Sequence, residues 1–382
     1  MAFTTIQEYN FPTTIRFGPG ASIELGDYLV KENIRKPLIV TDPVVGQLEF
    51  FHTITGDLAK KGLSVEVFYD IHKNPVKSDV YKGADAYDAT DRDAIVGIGG
   101  GAALDVARAI VLRVNHRDDL FKYDDLIGGD VYVTYDVPHF VTIPTTSGTG
   151  SEIGRSAIIS DDETHQKKIL FSPKLMAKIV FADPLLTMAL PPAVTAATGM
   201  DALTHNLEAY LAKMYHPICE GIALEGISLI GQSLELAVVK PDVRSRSMMM
   251  MGSLMGAVAF QKGLGVVHSL AHPLSTLMDM HHGLANAVNL PYGMAFNIPG
   301  FEQKFAKIAR ALELPTEKGE AVVTYLSDLN QKIGIPLRLR DLGVKQEHLE
   351  RLADLAIADF AHPNNPKPVT REDFRQLYEQ SF

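Results

Sequence analysis

The chain has 382 residues, a net charge of −10 and one cysteine, Cys219. This length allows two domains with a sizeable core each, and one cysteine excludes a disulfide framework or a cysteine-rich zinc site. An acidic balance without a basic block argues against nucleic acid and acidic membrane surfaces as partners. No apolar run approaches eighteen residues and the N-terminus lacks a secretory pattern, so we expect a soluble, cytoplasmic protein with no membrane partner.

The first half of the chain alternates short apolar runs with helical patterns. This βαβ rhythm predicts a mostly parallel sheet covered by helices on both faces. We assign residues 1–187 to this α/β domain and interpret it as a dinucleotide-binding domain. The predicted strands are 36–41, 63–68, 94–98, 140–143 and 179–181, and the predicted helices are 45–61, 76–89 and one from about Ala103.

Strand-like runs almost vanish after Pro191-Pro192, so residues 188–382 are predicted to form an all-α domain. We expect this domain to carry the substrate and a metal. Its predicted helices lie around 195–213, 218–238, 243–262, 266–278, 284–298, 301–313, 317–333, 346–358 and 371–380.

A glycine triplet, Gly99-Gly100-Gly101, follows the predicted strand 94–98 and opens a helix. Glycines at this position let the backbone approach a pyrophosphate, and the helix N-terminus supplies N–H groups and positive partial charge. The spacing differs from the usual GxGxxG fingerprint. A tight strand–helix turn without a ligand is the alternative interpretation.

Three further positions are candidate cofactor contacts. Asp42 closes the first predicted strand, where a carboxylate can accept the ribose hydroxyls of NAD and repel the extra phosphate of NADP; it could also only form the turn before Pro43. The loop 145–151 is rich in hydroxyls and glycine and could hold phosphate or the nicotinamide amide, or only cap the next helix. Lys167 could add a cationic contact, although most lysines are simply solvated.

Four side chains in the second half suggest a metal site. Asp201 and His205 are four residues apart, so on a helix they share a face. His268 and His282 lie in glycine-flanked helical stretches downstream. One carboxylate and three imidazoles suit a first-row divalent ion such as iron or zinc. The alternative is that these are ordinary helix residues.

Several motifs together resemble the iron-containing, group III alcohol dehydrogenases. The similarity runs nearly end to end with the same order and spacing of motifs. The segments that carry it are Gly97-Ile-Gly-Gly-Gly-Ala-Ala-Leu-Asp105, Pro144-Thr-Thr-Ser-Gly-Thr-Gly-Ser-Glu152, Thr198-Gly-Met-Asp-Ala-Leu-Thr-His-Asn-Leu-Glu-Ala-Tyr210, Gly263-Leu-Gly-Val-Val-His-Ser-Leu-Ala-His-Pro273 and His282-Gly-Leu-Ala-Asn286.

This resemblance implies the two-domain fold shared with dehydroquinate synthase, with the active site in the cleft between the domains. It implies that His272 lies near the nicotinamide and substrate as a candidate proton relay. Ala102 stands where many members have serine, and His281 where many have proline; we choose His282 as the ligand because it precedes Gly283. The implied metal ligands are Asp201, His205, His268 and His282, and the implied cofactor contacts are Asp42, Asn74, Gly99, Gly100, Gly101, Ala102, Ala103, Thr145, Thr146, Thr149 and Lys167.

The predicted function is a metal-dependent, NAD(P)-linked alcohol dehydrogenase or aldehyde reductase. It transfers a hydride between a small alcohol and the nicotinamide, with the alkoxide held by a divalent metal. We expect NAD rather than NADP, Fe2+ with Zn2+ or nickel as alternatives, and a homo-oligomer, at least a dimer. The rival hypotheses are a dehydroquinate synthase-like lyase, which needs a Lys and Arg cluster for a phosphorylated substrate, a glycerol dehydrogenase-like enzyme, and a catalytically silent nucleotide-binding protein.

Overall fold

The structure is a computed structural model that describes residues 13–164 and 166–382. The described chain divides into two compact units. The α/β unit contains residues 13–146 and 150–188, and the helical unit contains residues 147–149 and 189–382. Each unit has its own hydrophobic core.

The α/β unit is built on one six-stranded parallel sheet with the strand order β1-β8-β5-β4-β2-β3, and it has a separate antiparallel hairpin of β6 and β7. The strands are β1 (Thr14–Phe17), β2 (Pro37–Val40), β3 (Glu66–Phe68), β4 (Ala94–Gly99), β5 (His139–Pro144), β6 (Ser156–Ser160), β7 (Lys167–Phe171) and β8 (Ile179–Ala182). The helices are α1 (Leu25–Lys31), α2 (Glu49–Lys60), α3 (Lys77–Ala89) and α4 (Gly101–Asn115).

The central strands are short, continuous apolar runs because both faces of the sheet are covered. Every residue of β2, β4 and β8 is buried, which is the pattern of a parallel sheet between helix layers. Because the strands are parallel, the carboxyl ends of the neighbours β2, β4 and β5 meet at one edge. The glycine triplet leads from β4 into α4 at that edge.

The hairpin is fastened to α4 by a buried guanidinium. Arg108 is fully buried and donates to the carbonyl of Ser156, the first residue of β6, at 3.0 Å and to Ser151 Oγ at 2.9 Å. Asp105, one turn earlier, accepts from Ser151 Oγ at 2.6 Å and from Ile158 N of β6 at 3.1 Å. Carbonyl and carboxylate acceptors therefore compensate for burying this cation.

The helical unit contains nine α-helices in its described residues, and they enclose one continuous core. They are α5 (Pro192–Leu211), α6 (Pro217–Val239), α7 (Val243–Ala259), α8 (Val266–Met278), α9 (His282–Asn297), α10 (Glu302–Ala311), α11 (Gly319–Lys332), α12 (Leu349–Ile357) and α13 (Arg371–Ser381).

Glycines allow α5, α6 and α7 to approach one another closely around Asn206. The Asn206 amide donates to the carbonyl of Ala202 at 2.8 Å and to that of Gly252 at 2.9 Å. A Cβ atom added at Gly226 would lie 2.1 Å from Asn206 Oδ1, and one at Gly256 would lie 2.6 Å from Asn206 Nδ2. Only a residue without a side chain fits at these two crossings.

By length and composition, α6 could cross a membrane, with a mean hydropathy of 1.5; α7 with its short 3-10 extension and α8 pass the same test only as a pair bent by 104°. The buried residues of α6 lie within the core of the helical unit, among them Ile227, Ile230 and Leu234. This core accounts for one face of α6, whereas Ile218, Leu236 and Val239 are exposed.

The predicted fold class is confirmed by a parallel sheet with helices followed by a helical region. The nine C-terminal helices lie within about three residues of their predicted bounds. Four of the labelled elements were not predicted: the strands β1, β6 and β7 and the helix α1. Their segments are short: β1 alternates polar and apolar residues over only four positions, which is too few for a periodic pattern to identify a strand.

Two glycines on α6 provide a matched test of the close crossing. We expect Gly226→Ala to lower the free energy of unfolding by about 1–3 kcal/mol, because the new methyl group must displace the Asn206 amide. Gly221→Ala on the same helix has nothing within 4 Å of the new atom, so it should raise stability by about 0.5–1 kcal/mol through helix propensity. Denaturant unfolding of both variants checks this, and equal effects would contradict it.

Candidate metal centre

Helix α5 places the first two candidate ligands on one buried face. Asp201 and His205 are 2% and 5% exposed. As expected for residues one helical turn apart, Asp201 Oδ1 lies 3.9 Å from His205 Nε2. Burial lowers the pKa of His205 to about 4, so at neutral pH its imidazole is uncharged, as a ligand must be.

Helix α8 brings His268 to the same point. Its ring stacks on the His205 ring, with centroids 4.8 Å apart and an interplanar angle of 20°. One ligand atom each from Asp201, His205 and His268 lies within 4.8 Å of the other two. Burial lowers the pKa of His268, but the hydrogen bond to Glu208 and the charge of that carboxylate raise it above the usual value.

Helix α9 begins at His282 and adds the fourth candidate ligand. His282 Nε2 lies 3.5 Å from Asp201 Oδ1, with 29% of the side chain exposed. The next residue, Gly283, makes this approach possible, because a Cβ there would lie 2.3 Å from the carbonyl oxygen of Ala197 on α5. The structure therefore brings all four predicted side chains together. Asp201, His205 and His268 are close to one another, and His282 is close to Asp201.

The spacing of these atoms fits a single ion. Four ligands about 2.1 Å from one metal in a tetrahedron are separated from each other by roughly 3.4 Å. The separations of 3.5 Å and 3.9 Å from Asp201 Oδ1 to His282 and His205 are close to this value. One carboxylate oxygen and imidazole nitrogens are also the donors that iron and zinc accept.

Three residues that the sequence analysis did not name as site residues contact the predicted ones: Glu208 and Asn286 contact candidate ligands, and Asp359 contacts His272. Glu208 Oε2 accepts from His268 Nδ1 at 2.6 Å. Asn286 Nδ2 donates to Asp201 Oδ1 at 2.8 Å and lies 3.1 Å from His282 Nε2. Both residues lie inside motifs that carry the family resemblance. Asn286 follows His282 by one helical turn, and this spacing could have indicated that the two side chains share a helix face. Asp359 had no such signal, because its contact spans 87 residues.

His272 lies on α8 one turn after His268 and is partly accessible. Its Nδ1 lies 2.7 Å from Asp359 Oδ2, and its side chain is 18% exposed. The His272 ring stacks on the His282 ring at 5.3 Å and on the Phe360 ring at 5.3 Å. Asp359 also accepts from Ser269 Oγ at 2.6 Å, which fixes the carboxylate behind the imidazole.

Several apolar residues next to His268 belong to the packing of the helical unit. Val266, Val267 and Leu270 are fully buried in the core of the helical unit. The apolar groups beside the candidate ligands are aromatic instead: Phe260 faces the His205 ring at 5.1 Å, and Phe360 stacks on His272.

In the α/β unit, several predicted cofactor contacts meet at the carboxyl edge of the sheet. A Cβ at Gly99 would lie 2.6 Å from Ala103 Cβ and 3.4 Å from Asp42 Oδ2, so the turn after β4 and the Asp42 carboxylate are adjacent. Thr145 N donates to the carbonyl of Gly99 at 3.0 Å. Thr146 flanks Gly100, whose added Cβ would lie 3.4 Å from its hydroxyl oxygen. Gly101 and Ala102 form the first turn of α4.

Asp42 also stabilises its own turn, because its Oδ1 accepts from the backbone N–H groups of Val44 and Val45, both at 2.9 Å. The two interpretations given for Asp42 are therefore compatible. One oxygen forms the turn, and the other faces the glycine turn.

The β6–β7 hairpin brings the segments that contain Asn74 and Lys167 close together. Ser160 at the end of β6 pairs with Lys167 and donates its N–H to the carbonyl of Pro75 at 2.8 Å. This brings the segment that follows β3 next to the start of β7. Thr149 belongs to the helical unit together with Gly148, whose added Cβ would lie 2.8 Å from Thr198 Cβ.

Comparisons with known proteins give one consistent result. The family model "Iron-containing alcohol dehydrogenase" matches residues 12–184. A second family model, "Fe-containing alcohol dehydrogenase family, C-terminal", matches residues 195–382. The chain is 36% identical to 4-hydroxybutyrate dehydrogenase of Cupriavidus necator over 380 residues, covering 97% of this chain and 98% of that protein. It is 33% identical to the NAD-dependent methanol dehydrogenase of Bacillus methanolicus, with 97% and 98% covered.

The fold comparison agrees. The crystal structure of a 1,3-propanediol oxidoreductase superposes with a TM-score of 0.94 at 33% identity, covering 99% of this chain and 100% of that one. The resemblance inferred from the motifs is thus confirmed over both units. The chain belongs to the iron-containing alcohol dehydrogenase family of oxidoreductases.

Proposed function

We propose that this protein is a metal-dependent, NAD-linked alcohol dehydrogenase or aldehyde reductase that acts on a small alcohol or aldehyde. The observation that carries the proposal is the convergence of Asp201, His205 and His268 on one buried point, with His282 beside them. Similarity to dehydrogenases of hydroxybutyrate and methanol supports the reaction class. A soluble, cytoplasmic homodimer is part of the proposal.

The four side chains would hold the ion as Fe2+, with Zn2+ as the alternative. A divalent ion bound there would supply Lewis acidity, which lowers the pKa of an alcohol hydroxyl and polarises an aldehyde carbonyl. One carboxylate and three neutral imidazoles leave such a site with a formal charge of about +1, which favours a developing negative charge on oxygen.

His272 supplies a route for the hydroxyl proton. A carboxylate can only accept hydrogen bonds, so the Asp359 contact places the proton of neutral His272 on Nδ1 and leaves the lone pair on Nε2. An imidazole in this tautomer can accept a proton and pass it to solvent through its exposed edge. Asp359 then stabilises the cation that forms.

The residues at the carboxyl edge of the sheet would hold NAD, which accepts and returns the hydride. The N-terminus of α4 offers backbone N–H groups for the pyrophosphate. Asp42 Oδ2 lies beside Gly99, where it can accept from the ribose hydroxyls and repel a 2′-phosphate. The name of the Bacillus methanolicus relative supports NAD as the cofactor.

Removing one ligand should abolish metal binding and turnover together. We expect His205→Ala, purified without oxygen, to lose the bound divalent ion and to reduce NAD+ with small alcohols at least about 100-fold more slowly. His52→Ala, an exposed histidine of the α/β unit, is the control and should keep both properties. Elemental analysis with an anaerobic assay over several alcohols measures this and also separates iron from zinc. A metal-free wild-type chain that turns over alcohols at full rate would contradict the proposal.

Cofactor preference can be tested without disturbing the turn that Asp42 caps. Asp42→Asn retains an oxygen that can accept from Val44 N and Val45 N but removes the charge. We expect the ratio of kcat/KM for NADPH to that for NADH to rise about tenfold, or about 1.4 kcal/mol. Asp42→Gly should shift the ratio in the same direction and also lower the unfolding temperature, because the cap is lost. An unchanged ratio in both variants would reject the role of Asp42.

A further inference from the structure

Glu208 has an unusual set of partners for a buried carboxylate. It lies on α5 one turn after His205, and its side chain and that of His268 are each 1% exposed. Its oxygens accept from the N–H groups of Gly265 at 3.0 Å, Val267 at 2.7 Å and His268 at 3.3 Å. They also accept from the His268 ring at Nδ1, at 2.6 Å.

The first turn of α8 depends on this carboxylate for its cap. Gly265 at the N-cap has no side chain to accept the free N–H groups of the turn. Glu208 accepts hydrogen bonds from three of these N–H groups, and Asn365 Oδ1 accepts one from the N–H of Val266 at 3.2 Å. A Cβ at Gly265 would lie 2.8 Å from Asn365 Oδ1 and 3.0 Å from Glu208 Oε1, so the absence of a side chain here lets both oxygens approach the backbone closely.

The same carboxylate determines which ring nitrogen His268 offers. Because Glu208 can only accept, Nδ1 must carry the proton and Nε2 must carry the lone pair. The opposite edge of the ring faces Asn286, whose Nδ2 lies 3.4 Å from His268 Nε2 and 2.8 Å from Asp201 Oδ1. The lone pair is therefore directed towards the other candidate ligands.

We propose that Glu208 is a positioning residue for metal binding: through its contacts with His268 and the first turn of α8, it fixes the tautomer and orientation of this ligand before an ion arrives. This inference rests on the proposed function. Carboxylates that orient a metal-bound histidine typically contribute 10- to 100-fold to metal affinity. A carboxylate that only capped α8 would stabilise the fold without this effect.

The test separates ligand orientation from helix capping. Glu208→Gln keeps the size of the side chain but removes its charge. It also replaces one accepting oxygen by an NH2 group, which is itself a donor and faces other N–H donors. Asn365→Ala removes a cap from the same turn without touching the His268 ring. Both are purified metal-free, their unfolding temperatures are measured, and Zn2+ affinity is determined by competition with a chelator; Co2+ absorption reports the ligand geometry.

We expect Glu208→Gln to weaken Zn2+ binding about 10- to 100-fold and to alter the Co2+ spectrum. Asn365→Ala should lower the unfolding temperature while keeping Zn2+ affinity within about threefold of wild type. Wild-type affinity in Glu208→Gln, or an equal loss in both variants, would overturn the inference. A wild-type chain that binds neither ion would instead contradict the proposed function, and the inference with it.

Glu208→Asp covers the case in which Glu208→Gln does not fold. It keeps the charge near the N-terminus of α8 but withdraws the oxygens by one methylene, so the 2.6 Å contact with His268 is lost. We expect a folded protein with Zn2+ affinity reduced at least about tenfold. Unchanged affinity in this variant would overturn the inference equally.

Discussion

Two carboxylates buried on one helix, Asp201 and Glu208 of α5, impose the main constraint on the helical unit. A charge removed from water must be compensated by hydrogen bonds or by an opposite charge. Glu208 is surrounded by N–H donors of α8, which are permanent parts of the fold. Asp201 receives one amide hydrogen bond, from Asn286, and otherwise faces imidazole nitrogens. This difference supports the proposed roles, with Glu208 orienting His268 and Asp201 as the carboxylate that could bind a cation.

Close packing brings these groups within reach of one another, and glycine is the residue that permits it. Gly199 lets α5 approach Leu234 and Met249, since a Cβ there would lie 2.3 Å and 2.9 Å from these side chains. Gly283 does the same between α9 and α5. The glycines beside the candidate ligands therefore allow the helices to lie close together. The distance between the helices in turn sets the distance between the candidate ligand atoms.

The amphipathic helices of the second half, such as α10 and α12, were predictable because each buries one face, so that apolar residues recur with helical period. Helix α5 is different, since all its residues from Thr195 to Leu211 are buried, and its length and composition indicated a helix instead. The i,i+4 spacing of Asp201 and His205 likewise follows from local geometry alone. The β6–β7 hairpin was not predictable in this way, since α4 holds it through contacts of Arg108 with Ser156 and of Asp105 with Ile158, which are 48 and 53 residues apart in the chain. Glu208 and Asp359 were missed for the same reason. Each is hydrogen-bonded to a histidine that is distant in sequence, so tertiary structure rather than local spacing brings the two together.

His268 and His272 occupy consecutive turns of α8 but are held by different parts of the chain. The four-residue separation fixes a rise of about 6 Å between their backbones, and each ring is secured from behind, one by Glu208 of α5 and the other by Asp359 after α12. Each of the two histidines is thus held by its own carboxylate although one helix carries both. Under the proposed function, a change at Asp359 would therefore alter the partner of His272 while leaving the contact between Glu208 and His268 in place.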